Sequence, residues 1–304
     1  MADKKFTVKR IVIFSALAYV FAWILFLLIP LLGINYGEET SVIILAVAMF
    51  MPSLSNVLTR LITKEGFKNT YLNPNFKGHV KDYILVYFAP SLLLLLSAAF
   101  YFLVYPSQFD GNMTALKEAN PGSMAGLTTN YIIVISIIQI IVIGPIVNII
   151  PTLGEEFGWR AYLLPKLREL FSDRVALVVT GVIWGLWHAP VIVMGHNYGK
   201  EYIGYPVLGI LIMIVFCVML GVIEGYFTIK TDSVIPAAMI HSTVNAGASF
   251  PIIFAKKGYN TLLGPAITGI VGGFLFILLA VFLYIKSDKT KKPSNEAFTT
   301  NIDN

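Results

Sequence analysis

The stretch Gly154-Glu155-Glu156-Phe157-Gly158-Trp159-Arg160 sets two carboxylates and a guanidinium directly after an apolar run. A charge at membrane depth costs about 2.5–3.5 kcal/mol even on lenient insertion scales, so charged groups kept there point to function. On a helix, Glu156 and Arg160 stand four apart on one face with the glutamate first, the favourable order for an ion pair. Glu155 is turned about 100° away from Glu156 and need not share Arg160. The spacing therefore reads as a structural clamp, Glu156–Arg160, beside a free carboxylate, Glu155. In apolar surroundings such a carboxylate is a better general base near neutral pH.

Two of the four histidines suit the same chemistry. His188 closes the run Trp184-Gly185-Leu186-Trp187-His188, with Trp184 one turn earlier on its face. His241 is followed one turn later by Asn245. His79 lies in a basic loop and His196 beside Gly195 and Asn197 at the outer end of an expected helix; both read as interfacial. A lone buried histidine is more often a hydrogen-bonded core residue than a catalyst. Two of them with a free glutamate, on three helices, describe a site. The chemistry is peptide hydrolysis: Glu155 and His188 polarise water, and His241 with Asn245 stabilises the oxyanion. Glu155, His188 and His241 also make a two-histidine, one-glutamate zinc set with a fourth position open to water, although the spacing is not that of a helical HExxH. Glu224 is open to two readings, a partner of these groups or an interfacial residue near Lys230. Pro52, Asn56 and Arg60 share a face, and Arg60 reads as a snorkelling anchor.

These residues need a membrane scaffold to hold them. The 304-residue chain is 57% hydrophobic and 13% charged, against about 25% charged in ordinary soluble domains. Apolar runs of spanning length (about 20 residues) fall near 11–32, 41–62, 82–104, 129–152, 175–194, 206–229, 233–254 and 264–285. The expected fold is all-α and polytopic, with about eight transmembrane helices. The first run is too long for a signal-peptide core and reads as a span. With both termini cytoplasmic, eighteen of the 22 lysines and arginines fall on the inner side, as the positive-inside rule requires. On that reckoning His241 lies about 12 Å and His188 about 20 Å in from the cytoplasmic side, with Glu155 closing its helix there. The site falls in the inner half of the bundle. Residues 159–172 read as a helix along the cytoplasmic interface. The stretch 105–128 reads as an irregular outer loop, and the chain from about 286 as a polar cytoplasmic tail. The whole, 1–304, reads as one integral membrane domain with its motif-bearing core at about 140–250. The single cysteine, Cys217, excludes an internal disulfide framework and a cysteine zinc site. No nucleic-acid motif is present.

Three motifs in order give a resemblance. Glu155-Glu156-Phe157-Gly158-Trp159-Arg160 matches EExxxR; Trp184 to His188 is similar to FxxxH with Trp at the aromatic position; His241-Ser242-Thr243-Val244-Asn245 matches HxxxN. The pattern resembles the CPBP family of intramembrane proteases (the CAAX-protease, bacteriocin-processing or abortive-infection family), which includes the type II CAAX prenyl endopeptidases. Thr231-Asp232-Ser233 resembles the family's Thr-Gly-Ser lead-in, with Asp for Gly, and Arg60 to Gly66 resembles the end of its second helix. The resemblance implies an eight-helix bundle, Glu155 and His188 activating water, and His241 with Asn245 as the oxyanion hole. Glu156, Arg160 and Trp184 then take structural roles. The family has been described both as metalloproteases and as metal-independent glutamate proteases; the glutamate mechanism is the expectation here, with no cofactor needed and zinc as the variant. The implied partners are the bilayer and a hydrophobic or prenylated peptide substrate. Two other classes compete: a non-catalytic membrane scaffold or bacteriocin-immunity protein, and a small-solute or proton carrier using Glu155, Glu224 and the histidines as a relay.

Overall fold

The computed structural model describes residues 2–287. It is all-α, with no strand among those residues beyond one antiparallel bridge between Phe109 and Ala255. The chain runs through α1 (Ala2–Leu31), α2 (Glu39–Ala48), α3 (Met51–Ile62) and α4 (Val80–Val104). The short α5 (Thr114–Ala119) lies in the loop that follows, and then come α6 (Thr129–Ile138), a π-helical turn (Gln139–Ile143), α7 (Gly144–Val147) and α8 (Ile149–Gly158). A second π-helical turn (Trp159–Leu163) leads into α9 (Leu164–Arg168), followed by α10 (Asp173–Trp187), α11 (Ala189–Val193), α12 (Val207–Thr231), α13 (Ile235–Gly247) and α14 (Phe274–Ser287).

Among the described residues, five segments are long and apolar enough to cross a membrane: Lys4–Leu31, Glu39–Ile62, Val80–Val104, Thr129–Val147 and Val207–Thr231. The chain is an all-α polytopic membrane protein. Helix occupies each of the eight expected runs, but α10, α13 and α14 hold 15, 13 and 14 residues, short of the roughly 20 of a full span. The causes are local. Pro190 interrupts the run after α10, since proline lacks the N–H that a helix interior needs. The run before α14 opens as a loop containing Gly264, Gly269, Gly272 and Gly273. The expected tail lies, from 288 onward, outside the described residues.

Glycines four apart bring the site helices together. Gly154 and Gly158 of α8 face α3: a Cβ on Gly158 would stand 2.4 Å from the Cβ of Pro52 and 2.7 Å from its carbonyl oxygen. Gly181 and Gly185 of α10 face α12, where added Cβ atoms would stand 2.5 Å from Val218 Cα and 2.6 Å from Ile214 Cα. Lipid removes the hydrophobic drive for helix association, so close backbone approach across small residues supplies the packing instead. Helix α1 buttresses α10 with polar contacts: Trp23 Nε1 donates to Trp187 O at 3.0 Å, and Tyr19 Oη to Ile183 O at 2.7 Å.

Two expectations are corrected. The first half of the 159–172 stretch does not lie along the interface; α8 continues through the π-helical turn into the core, and Trp159 through Leu164 are buried, whereas Glu169, Phe171 and Ser172 are exposed. The aromatic side chains decide this, with Trp159 packed edge-on against Phe14 at 5.5 Å and against Trp187 at 6.1 Å between ring centroids. Arg60 does not snorkel. It is 3% exposed and donates to Asn56 Oδ1 at 2.7 Å and to the carbonyls of Gly66, Lys68 and Asn69. It thereby satisfies carbonyls just past the end of α3 that would otherwise lack donors. Nearby, Glu65 ties three segments: it lies 2.6 Å from Lys166 Nζ and 3.3 Å from Arg10 Nε, and accepts from Tyr162 Oη at 3.0 Å. Burial alone would raise the Glu65 carboxyl; the Lys166 hydrogen bond and charge, with Tyr162 and Arg10, outweigh it and hold the pKa below its ordinary value.

Candidate active site

Glu155 sits in the last turn of α8, 3% exposed. Its Oε2 accepts the indole Nε1–H of Trp184, from α10, at 2.8 Å. His188 follows Trp184 by one turn, and its Nδ1 lies 2.9 Å from the Trp184 carbonyl oxygen. A carbonyl only accepts, so Nδ1 carries the proton and Nε2 keeps its lone pair. One residue thus positions both groups, the carboxylate by its indole and the imidazole by its backbone.

The second half of the site is ionic. Arg160 Nη1 donates to Glu156 Oε1 at 3.0 Å, as the i, i+4 spacing predicts, and the pair is fully buried. The same oxygen lies 2.8 Å from His241 Nδ1, which therefore donates to it. Arg160 Nη2 pairs with Glu224 of α12, also fully buried. The guanidinium lies 4.2 Å from the ring centroid of Trp184, a cation–π contact that joins the two halves. Glu224, left between two readings by the sequence, is a partner of the cluster. The signal for it was in the chain: an intramembrane carboxylate needs a counter-charge, and a guanidinium bound to one carboxylate can hold a second.

The expected metal set is corrected. Among the described residues, the ligand atoms that come within 4.8 Å of one another belong to Glu156, Glu224 and His241, not to Glu155, His188 and His241. The reason is the turn of α8 between its neighbouring glutamates, which sends Glu155 to Trp184 and Glu156 to His241. Nor does the observed group fit a metal as it stands. Arg160 already supplies a cation to both carboxylates, and His241 points an N–H at the oxygen that a metal would need.

Two further placements matter. Asn245, one turn beyond His241, is exposed and makes no side-chain hydrogen bond to another described residue. His196, read from sequence as interfacial, stacks on His188 with ring centroids 6.3 Å apart and planes within 12°. Its Nδ1 is held by the hydroxyl of Tyr36, from the loop between α1 and α2. Gly195, at φ +103, makes the turn that folds this segment back, a conformation that side chains resist. His79 stays away from the site, bonded to Asp82 at 3.1 Å.

The central segment has known relatives. Residues 133–247 match the family described as type II CAAX prenyl endopeptidase Rce1-like. A stretch of 92 residues is 29% identical to CAAX prenyl protease 2 of Methanococcus maripaludis, covering 30% of this chain and 34% of that relative. The chain thus matches about a third of that relative's length. The family match spans Glu155, Glu156, Arg160, Trp184, His188, His241 and Asn245, so the segment that carries the site is similar to the type II CAAX prenyl endopeptidases.

Proposed function

We propose that the chain is an intramembrane endopeptidase that hydrolyses a peptide bond in a prenylated or otherwise hydrophobic peptide, as in C-terminal CAAX processing. The observation that carries this reading is the double use of Trp184, which holds Glu155 at 2.8 Å and His188 at 2.9 Å. That arrangement leaves Glu155 Oε1 and His188 Nε2 as two acceptors for one water. Glu155 takes a proton from the water, and the hydroxide adds to the peptide carbonyl carbon. The oxyanion is met by Asn245 Nδ2–H and by Nε2–H of His241, whose imidazolium form keeps its other N–H on Glu156. Collapse of the tetrahedral adduct breaks the C–N bond, and the proton on Glu155 passes to the leaving amine. The Arg160–Glu156–Glu224 cluster holds His241 in place and takes no part in proton transfer. The same reading treats the chain as one integral domain, with both termini on the cytoplasmic side where the basic residues gather.

The test is cleavage of a fluorogenic farnesylated CAAX-type peptide by detergent-purified protein, beside Glu155→Ala and with and without a zinc chelator. Loss of cleavage in the folded variant alone supports the glutamate mechanism. Loss on chelation, restored by zinc, replaces it with a metal mechanism. Full activity in Glu155→Ala rejects the role given to that residue. A wild type silent on every prenylated and hydrophobic peptide points to the non-catalytic scaffold.

A further inference from the structure

We propose that the groove between α4, α12, α13 and α14 binds one anionic phospholipid, with an acyl chain along the groove and the phosphate at Lys230 and Lys286. The groove encloses about 220 Å³ and is walled by apolar side chains, among them Leu85, Ala89, Leu93, Ile223, Phe276 and Leu283. Ala89 and Pro90 keep the α4 wall low, which opens room along the helix. From Phe276 to Lys286 the groove follows α14 for about 15 Å at 1.5 Å per residue, the form of a hydrocarbon chain rather than of a free ion.

The charges are all at one end. Among the described residues, Lys230 and Lys286 are the only charged side chains lining the groove, and each lies in the last turn of its helix. Asp82 of α4 pairs with Lys230 and also bonds His79 at 3.1 Å. Among the described residues lining the mouth or paired with them, two ammoniums against the Asp82 carboxylate leave one net positive charge, the complement of a single phosphodiester. Lys286 lies over the ring of Phe282 at 5.8 Å, and that ring is exposed at the outer surface of the bundle. The mouth therefore faces the bilayer at the level of its headgroups, where basic side chains attract anionic lipid. This site is separate from the peptide site, and the proposal does not rest on the peptidase reading.

The experiment is native mass spectrometry of the detergent-purified full chain with phosphatidylglycerol and phosphatidylcholine of identical acyl chains. Melting temperatures with each lipid provide the second readout. The expected result is preferential retention of, and stabilisation by, phosphatidylglycerol, with that preference reduced about fivefold in Lys286→Gln. Ala89→Leu, which narrows the groove without touching a charge, is expected to weaken phosphatidylglycerol binding while leaving the protein folded. Equal binding of the two lipids, or an unchanged preference in Lys286→Gln, overturns the proposal. So does full stabilisation by inorganic phosphate alone, which assigns the site to the lysine pair without the groove. Displacement of phosphatidylglycerol by an uncharged farnesyl methyl ester, independent of Lys286, assigns the groove to an isoprenoid instead and also overturns it.

Discussion

Trp184 donates its indole N–H to Glu155 across the α8–α10 contact at 2.8 Å. The motif that this segment resembles carries Phe at that position, and Phe has no donor. The substitution therefore changes what holds the carboxylate. Trp184→Phe keeps an aromatic ring at this position but removes the indole N–H together with part of a buried ring. A hydrogen bond to a charged group contributes about 1.5–3 kcal/mol. The expected result is a kcat for the prenylated peptide lowered by at least about tenfold, with KM little changed and a melting temperature lowered by the cavity but with the protein still folded. An unchanged kcat would show that the indole N–H does not position Glu155.

Arg160 neutralises two buried carboxylates at once. Removing one partner from such a cluster leaves uncompensated buried charge and costs about 3–5 kcal/mol. Arg160→Met is expected to lose folded yield in detergent or to melt many degrees lower. Glu155→Ala, whose carboxylate receives one hydrogen bond from Trp184, is expected to remain folded. Size-exclusion profiles and thermal melts of the two variants distinguish a structural role from a chemical one.

Gly158 admits no side chain. Its added Cβ would meet backbone atoms of Pro52 at 2.6 and 2.7 Å, so no rotamer change can relieve the clash. Gly158→Ala is expected to separate α3 from α8 and reduce the folded fraction sharply. Gly122→Ala, with nothing within 4 Å, is the control and is expected to melt like the wild type.

Glu65 gives a pH dependence with a definite sign. Its carboxyl pKa lies below the ordinary value in the folded protein. Its contribution is therefore fully present above the unfolded carboxylate pKa of about 4.3 and is lost as pH falls through the folded value. The wild type is expected to melt above Glu65→Gln at neutral pH, with the gap closing on acidification below about pH 4. A gap that stays constant or widens on acidification would contradict the assigned pairing with Lys166 and Arg10.

His196 lies against His188 with its own ring held by Tyr36. His196→Ala removes one wall of the His188 pocket without touching Glu155 or His241. The expected outcome is a lower kcat at nearly constant KM, with a smaller change in the same direction for Tyr36→Phe. If KM rises instead at constant kcat, His196 belongs to substrate binding rather than to the positioning of His188.

Local features of the chain were legible without a structure because they depend on short-range geometry. The membrane class follows from composition, helix positions from apolar runs, and the Glu156–Arg160 pair from i, i+4 spacing, which the structure forms at 3.0 Å. The length of α10 was less legible, since a hydropathy run does not register the break made by Pro190. Residues 159–164 were misread because apolar and basic residues at helical spacing fit an interface and a core equally well. The aromatic partner Phe14, far away in sequence, decides between them.

Composition and apolar runs alone place the residue types of the site at membrane depth, and the order of the three motifs gives the likeness to a protease family. How the residues pair follows from the way the helices pack against one another. That packing sends Glu155 to Trp184, Glu156 to His241, and Glu224 to Arg160, and it turns His196 back onto His188. The physical reason is that each choice is a contact between helices. Such contacts are fixed by how closely Gly154, Gly158, Gly181 and Gly185 let their neighbours approach, and by the requirement that a buried charge find a counter-charge or hydrogen-bond partners.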